Sequence, residues 1–408
     1  MNKQDEVYKQ IIASPSPPPR SLTSREVSQT AGDNPLPSAA YLHIPFCRTR
    51  CRYCDFAVNL GTEELIEKYV QYLVREVYLT PSTYQGLTTV YFGGGTPSLL
   101  KGLQLEQIIK ALQEHFRFAE NIEITLEANP GTFSFEQVRT WQSLGINRIS
   151  LGVQAFQDRL LALCGRSHDL RAVYESIDDF ERAGVANWNL DLIFGLPEQN
   201  LKDWEFSLTE LIRLSPTHVS AYDLILEDET PFNKQYRSGR HPLPDDDETV
   251  QMYLQLIETL TTHGYEHYEI ANFARPGCQS VHNHVYWHNQ PYYGLGLGAT
   301  GYVHKQRIAR PKRLFDYFEL VDKGNFPTSE PVSTEEELTD TLILGLRLLE
   351  GVCLTQIADR FGAQAADSVL AKLQPSIERG WVSFRAQTVA LTAPQGLLFS
   401  NEVFSLFV

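Results

Sequence analysis

The sequence predicts an α/β protein, a partial (β/α)6 TIM-like barrel followed by a C-terminal α+β region that includes a winged-helix-like module. Two observations carry this. From Ala39 to about Leu226, short β-rich apolar runs alternate with stretches of about 3.6-residue periodicity, the pattern of parallel strands joined by crossover helices. Six strand candidates fall short of the roughly eight that close a full barrel, so an open barrel is expected. Beyond Pro231 the alternation gives way to helices and a hairpin-like pair.

Taken in order, AAYLHI is the first strand candidate and Glu63 to Leu79 the first helix, with Thr62 as a cap. TTVYFGGG precedes a helix over Leu105 to Phe116, and EITLEAN precedes one over Phe135 to Ser143. RISLGVQ leads to a short helix near Gln157 to Leu163 and a longer one over Leu170 to Ala183. NWNLDLIFG leads to Leu201 to Leu214, with Asp203 as a cap, and HVSAYDLIL is the sixth strand. Parallel α/β folds gather functional groups at the carboxyl ends of their strands. The cysteine-rich loop after AAYLHI, GGGTP, EANP, the Gln of LGVQ and the loop after DLIFG are therefore expected on one rim.

Asp245 to Thr262 reads as an amphipathic helix with a charged start. It is followed by YEIANFARPG, the aromatic and histidine-rich VHNHVYWHNQPYYGLGLGATGY, and a helix around Lys312 to Val321. Helices over Glu335 to Leu349, Leu354 to Phe361 and Ala365 to Leu373 lead to the β-like WVSFRAQTVALT and a helical tail after Pro394. Residues 1–37 contain SPSPPPR and NPLPSAA without apolar periodicity, and are expected to form a disordered leader. The barrel is expected over 38–230, an α+β extension over 231–332, and the winged-helix-like module over 333–408.

The chain of 408 residues is 42% hydrophobic and 21% charged, an ordinary globular composition. A net charge of -15 argues against a general nucleic-acid binder, which needs clustered Lys and Arg. Six cysteines in this length do not form a disulfide framework. No apolar stretch approaches the roughly 18 residues of a membrane helix, and MNKQDEVYKQ lacks the features of a signal peptide. A cysteine cluster needs a reducing compartment, so a cytoplasmic location is expected.

Cys47, Cys51 and Cys54 stand as C-x3-C-x2-C in PFCRTRCRYCDF. Three thiolates hold three irons of a [4Fe-4S] cube and leave the fourth open to a ligand that the protein does not supply. Structural zinc usually takes four ligands as two separated pairs, and no second pair is present. In GGGTP, the glycines either let backbone approach a ligand or make a tight strand-to-helix turn. Glu127, Gln154 and Arg166 are ordinary singly, whereas Asp191 inside the apolar NLDLIF needs a partner. The run HNHVYW, His282 to Trp287, suits the flat face and axial iron position of a tetrapyrrole, or forms a core cluster. Cys164, Cys278 and Cys353 read as buried small hydrophobes or free thiols.

On YLHIPFCRTRCRYCDF, YFGGGTPSLL, LEANPGT, LGVQAF, Gly165-Arg166, NLDLIFGLP and HNHVYW, the chain from about Tyr41 onward resembles the radical S-adenosylmethionine superfamily. More narrowly, it resembles the oxygen-independent coproporphyrinogen III oxidase-like group. The resemblance implies a [4Fe-4S] cluster on Cys47, Cys51 and Cys54, with S-adenosylmethionine chelating the open iron. It also implies cofactor contacts from Tyr41, Gly94, Gly95, Thr96, Glu127, Gln154, Arg166 and Asp191, with Tyr53 beside the adenine, and formation of a 5′-deoxyadenosyl radical.

The decarboxylating oxidase of this group carries a fourth cysteine two residues after the third, where this chain has Phe56. CDF, together with His282, Asn283, Tyr286 and Trp287 as HN-x2-YW, is instead similar to the heme chaperones of the group. That resemblance implies heme as ligand, a heme-acceptor protein, an electron donor of flavodoxin or ferredoxin type, and homodimerisation. It implies no turnover of coproporphyrinogen; the oxidase and another radical enzyme are the alternatives.

Overall fold

In the computed structural model, residues 35–408 are described apart from Tyr84 and Pro327. The expected leader lies outside these but for its last residues. Contacts divide the chain into two compact units, neither continuous in sequence. The first takes residues up to Gly152, then Cys164–Ala186 and Pro291–Pro331. The second takes Val153–Leu163, Asn187–Gln290 and Val332–Val408.

All six expected strands form: β1 (Ala39–Ile44), β2 (Leu87–Gly94), β3 (Phe118–Ala128), β4 (Arg148–Gln154), β5 (Trp188–Phe194) and β6 (His218–Asp223). The helices between them are α1 (Glu63–Leu79), α2 (Gly102–His115), α3 (Phe135–Ser143), α4 (Asp158–Cys164), α5 (Leu170–Ala183) and α6 (Leu201–Leu214). Their ends follow capping chemistry. Thr62 accepts from Leu65 N–H, and Glu63 and Glu64 lie in the first turn of α1, where the dipole favours anions. Asp203 is not the cap expected of it. Asn200 caps α6, and Asp203 occupies the third helical position, its carboxylate accepting from Asn200 N–H at 3.0 Å in a capping box.

In the first unit, β1 pairs in parallel with β2, β2 with β3, and β3 with β4. β4 is buried on both faces from Arg148 to Val153, although its apolar side chains, Ile149, Leu151 and Val153, alternate with Arg148, Ser150 and Gly152. A strand absent from the expectation completes the edge.

The second unit pairs β5 with β6 in parallel. Then follow α7 (Pro231–Gln235), α8 (Asp246–Thr262), β7 (Glu266–Glu269), β8 (Asn272–Ala274) and α9 (Val281–Trp287), with β8 antiparallel to both β6 and β7. Asp245 caps α8 ahead of three acidic residues, which accounts for its charged start.

The strand completing the first unit is β9 (Tyr293–Leu295), parallel to β1 with Tyr41 opposite Gly294. It leads to the hairpin of β10 (Thr300–Val303) and β11 (Gln306–Ala309), then α10 (Leu314–Lys323).

The C-terminal part is an α+β region of the second unit, with α11 (Thr334–Gly345), β12 (Val352–Cys353), α12 (Leu354–Phe361) and α13 (Ala363–Glu378). A hairpin of β13 (Val382–Arg385) and β14 (Thr388–Leu391) makes a sheet ordered β12-β14-β13. α11 stops at Gly345 although apolar periodicity continues to Leu349. The backbone beyond it leaves the helix to pair elsewhere, Leu348 bridging Glu269 and Leu349 N–H donating to Tyr268 O at 3.0 Å. Two short helices, α14 (Gln395–Leu398) and α15 (Ser400–Phe404), end the chain. Among the described residues, no helix is long and apolar enough to cross a membrane.

Candidate functional site

The loop after β1 carries Cys47, Cys51 and Cys54, all unpaired and half-buried. Backbone pins it at both ends: Cys47 N–H donates to Asn59 O at 3.0 Å, and Asn59 N–H donates to Pro45 O at 2.6 Å. In its middle, Arg52 N–H donates to Cys164 O at 2.9 Å. Among the described residues, no three His, Cys, Asp or Glu side chains converge on a single ion. A cubane asks for a wider spread, since each thiolate takes a different iron.

Polar groups reach the sulfurs from just past β2 and from the turn after α4. Thr96 Oγ1 donates to Cys47 Sγ at 3.6 Å, and Arg166 Nη1 donates to Cys51 Sγ at 3.5 Å and to Tyr53 OH at 3.4 Å. Arg166 Nη2 also donates to Asn129 Oδ1 and, at 2.8 Å, to Gly152 O. Asn129 Nδ2 donates to Thr96 Oγ1 at 2.9 Å. Asn129 thus ties the arginine at one sulfur to the hydroxyl at another. Burial pushes the Cys47 thiol up and the Cys54 thiol to about 11. Neutral thiols are the stable form there unless positive charge is supplied, as iron would supply it.

The glycines of GGGTP are required by the protein's own packing. Gly94 has φ +110°, and a Cβ there would lie 2.5 Å from the His43 ring. A Cβ on Gly95 would meet Phe46 O at 2.7 Å, while its N–H donates to Ile44 O at 2.8 Å. Glu127 accepts from Tyr91 OH at 2.8 Å and from Gly94 N–H at 3.0 Å. His43 Nε2 contacts Ala57 O at 2.9 Å, and a carbonyl only accepts, so Nε2 carries the proton and Nδ1 accepts from Tyr41 OH at 3.0 Å. Burial lowers the His43 pKa, in keeping with this neutral form. His43 thereby anchors the far side of the cysteine loop.

The structure brings Tyr41, Tyr53, Gly94, Gly95, Thr96, Glu127 and Arg166 together with the three cysteines in the first unit. Gln154 and Asp191 belong to the second. Gln154 ends β4 with φ +72°, and Asp191, half-buried, accepts from the amide Asn189 Nδ2 at 2.6 Å. Asn129, His43 and Tyr91 were not anticipated. The signal for Asn129 was an amide directly after the end of β3 in EANP, two residues past Glu127. Replacing Asn129 with alanine is expected to cost about 1–3 kcal/mol, because Arg166 and Thr96 each lose a partner. Thermal unfolding, with iron retention measured alongside, checks this.

The HNHVYW run forms α9, capped by Ser280, which accepts from Asn283 N–H at 3.3 Å. His282 is 1% exposed, and its Nε2 lies 2.8 Å from Tyr286 OH. It is thus placed as a buried hydrogen-bonding residue. His284 stacks between Tyr268 and His288, at centroid distances of 5.4 and 5.6 Å. Trp287 packs against Tyr268, Ala274 and Leu348, with the Arg347 guanidinium 4.5 Å from its ring centroid.

The class of protein follows from two family profiles. One described as the radical SAM superfamily matches residues 41–211, and one described as the HemN C-terminal domain matches residues 332–399. The solved coproporphyrinogen III oxidase HemN of Escherichia coli is similar in fold, with a TM-score of 0.80 at 23% identity, covering 91% of this chain and 90% of that one. Heme chaperone HemW of Synechocystis is 41% identical over 91% of this chain and 96% of its own length. The proteins of that name from Bacillus subtilis and Escherichia coli are 35% and 33% identical, again over 91% of this chain and over 99% and 98% of their own lengths. The chain belongs to the HemW family of the radical SAM superfamily. The superfamily implies a [4Fe-4S] cluster and S-adenosylmethionine, and the thiols with their aligned hydroxyl and guanidinium donors fit an anionic, sulfur-ligated group.

Proposed function

We propose that this protein is a cytoplasmic heme chaperone, which binds heme and passes it to an acceptor protein on a scaffold carrying a [4Fe-4S] cluster and S-adenosylmethionine. The observation that carries the reading is Phe56, more than half exposed where the oxidase has its fourth cysteine. The HemW relatives, bearing the name of heme chaperones, support it.

Cys47, Cys51 and Cys54 would hold the cluster, which when bound supplies one-electron reduction. An electron donor of flavodoxin or ferredoxin type serves that chemistry. Tyr41, Tyr53, Gly94, Gly95, Thr96, Glu127, Gln154, Arg166 and Asp191 would contact S-adenosylmethionine, with Arg166 offering a cation to its carboxylate. Glu127, already engaged by Tyr91 and Gly94, positions the glycine turn. His282, Asn283, Tyr286 and Trp287 of α9 would form the heme site, with Trp287 offering a flat aromatic face.

Two measurements on reconstituted protein test this reading. Titration with heme is expected to saturate at one equivalent. Incubation with coproporphyrinogen III and a reductant is expected to leave it unconverted, and formation of protoporphyrinogen IX would end the chaperone reading.

A further inference from the structure

Strands β5 and β6 carry a line of polar side chains through the interior of the second unit. Register sets Asn189 opposite His218 and Asp191 opposite Ser220, and the alternation of a strand puts all four on one face of the pair. Leu190, Leu192, Val219 and Ala221 take the other face and are buried. Asn189, His218 and Ser220 are buried as well, whereas Asp191 is half-buried. Buried polar groups cost free energy unless each is hydrogen-bonded, and these form one unbroken chain that ends on Asp191.

Asp191 sets the direction of every bond in it. A carboxylate only accepts, so Asn189 turns Nδ2 toward Asp191, at 2.6 Å, and its Oδ1 toward β6. That oxygen accepts from His218 Nδ1 at 2.7 Å and from Ser220 Oγ at 3.1 Å. His218 therefore carries a proton on Nδ1, and in the neutral ring Nε2 accepts from Tyr268 OH at 2.7 Å. Tyr268 stands on β7, where its ring stacks on His284 at a centroid distance of 5.4 Å, which holds the hydroxyl in place. An Asn189 amide turned the other way would set its oxygen against the carboxylate and its nitrogen against two donors. The amide thus has one orientation, and it holds the carboxylate in one orientation too.

We infer that His218 is a positioning residue for S-adenosylmethionine: through Asn189 it holds the Asp191 carboxylate ready to accept from the ribose hydroxyls, with Tyr268 fixing the imidazole. His218 is fully buried and acts without touching the cofactor. The inference rests on the reading of Asp191 as a contact of S-adenosylmethionine.

The test is anaerobic calorimetric titration of the cluster-loaded full chain with S-adenosylmethionine, at matched iron content. An asparagine amide can reproduce the donor at Nδ1 and a glutamine amide the group at Nε2, so His218→Gln breaks the link to Asn189 and His218→Asn the link to Tyr268. His218→Gln is expected to weaken binding about fivefold, the worth of one hydrogen bond, and His218→Asn to restore most of that loss. A purely structural role predicts instead that both variants lose stability and, once folded, bind as the wild type does. In an Asp191→Ala background, His218→Gln is expected to add no further loss, because the two residues act as a unit. If Asp191→Ala weakens binding while His218→Gln matches the wild type, or while His218→Asn binds no better than His218→Gln, or while the losses simply add, the positioning role is overturned and the Asp191 contact stands. If Asp191→Ala binds like the wild type, the contact itself is wrong and the inference falls with it.

Discussion

Replacing Glu76 with alanine lowers stability by about 3–5 kcal/mol, the usual cost of leaving one buried charge without its partner. Glu76 is fully buried in α1 and takes three donors: Arg310 Nε at 2.5 Å, Gly296 N–H at 2.8 Å and Tyr317 OH at 2.7 Å. Arg310 is itself only 7% exposed, so water cannot replace the lost carboxylate. Urea denaturation of the single variant and of Glu76→Leu with Arg310→Met separates the two effects. The double variant recovers much of the loss, because an apolar pair carries no desolvation cost. A single variant that unfolds at the wild-type midpoint would show that the pair contributes nothing.

The damage reaches the cysteine loop through adjoining bonds. Tyr69 OH donates to His43 O at 2.6 Å and accepts from Leu297 N–H at 3.0 Å, next to the Gly296 amide held by Glu76. His43 in turn holds Ala57, three residues past Cys54. Loss of iron retention in Glu76→Ala is therefore expected to accompany its loss of stability.

Changing Cys47, Cys51 or Cys54 singly to alanine is expected to abolish the iron–sulfur absorption of anaerobically reconstituted protein, with iron and sulfide falling to background. A cube with two protein thiolates leaves two irons open, and solvent ligands do not replace thiolate in affinity. Cys164 serves as the control. It is buried, and its thiol is pushed up to about 12, so Cys164→Ala is expected to keep the cluster. Wild-type iron content in a Cys51→Ala variant would remove the ligand assignment.

Much of this architecture was legible because apolar periodicity and strand-end motifs are local signals. The bounds of α1, α3, α5 and α6 follow from caps and periodicity within each segment. Strand β9 was not legible. YGL, which opens the loop-like YGLGLG, becomes a strand because β1 offers an edge beside it. The tethers of the site were equally hidden, since His43 meets Ala57, and Asn129 meets Arg166, through register and turn geometry that residue types do not reveal. Arg166 lies far along the chain from the cysteines, yet its place in the turn after Cys164 delivers it to Cys51. The glycines also serve neighbours that the residue types did not reveal. Their missing side chains make room for His43 and Phe46.

The edge strand β9 also imposes an order on biosynthesis. The first unit draws its last stretch from Pro291–Pro331, so a nascent chain that has already emerged through Gly152 still lacks the segment bracing α1 and the His43 tether. Local helices and the neighbouring pairs β1–β2 and β2–β3 can assemble early, whereas the contacts of Gly296 and Leu297 await the ribosome's progress through nearly three quarters of the message. Metallocluster maturation would then be a late event on this polypeptide, following release of that bracing segment from the exit tunnel.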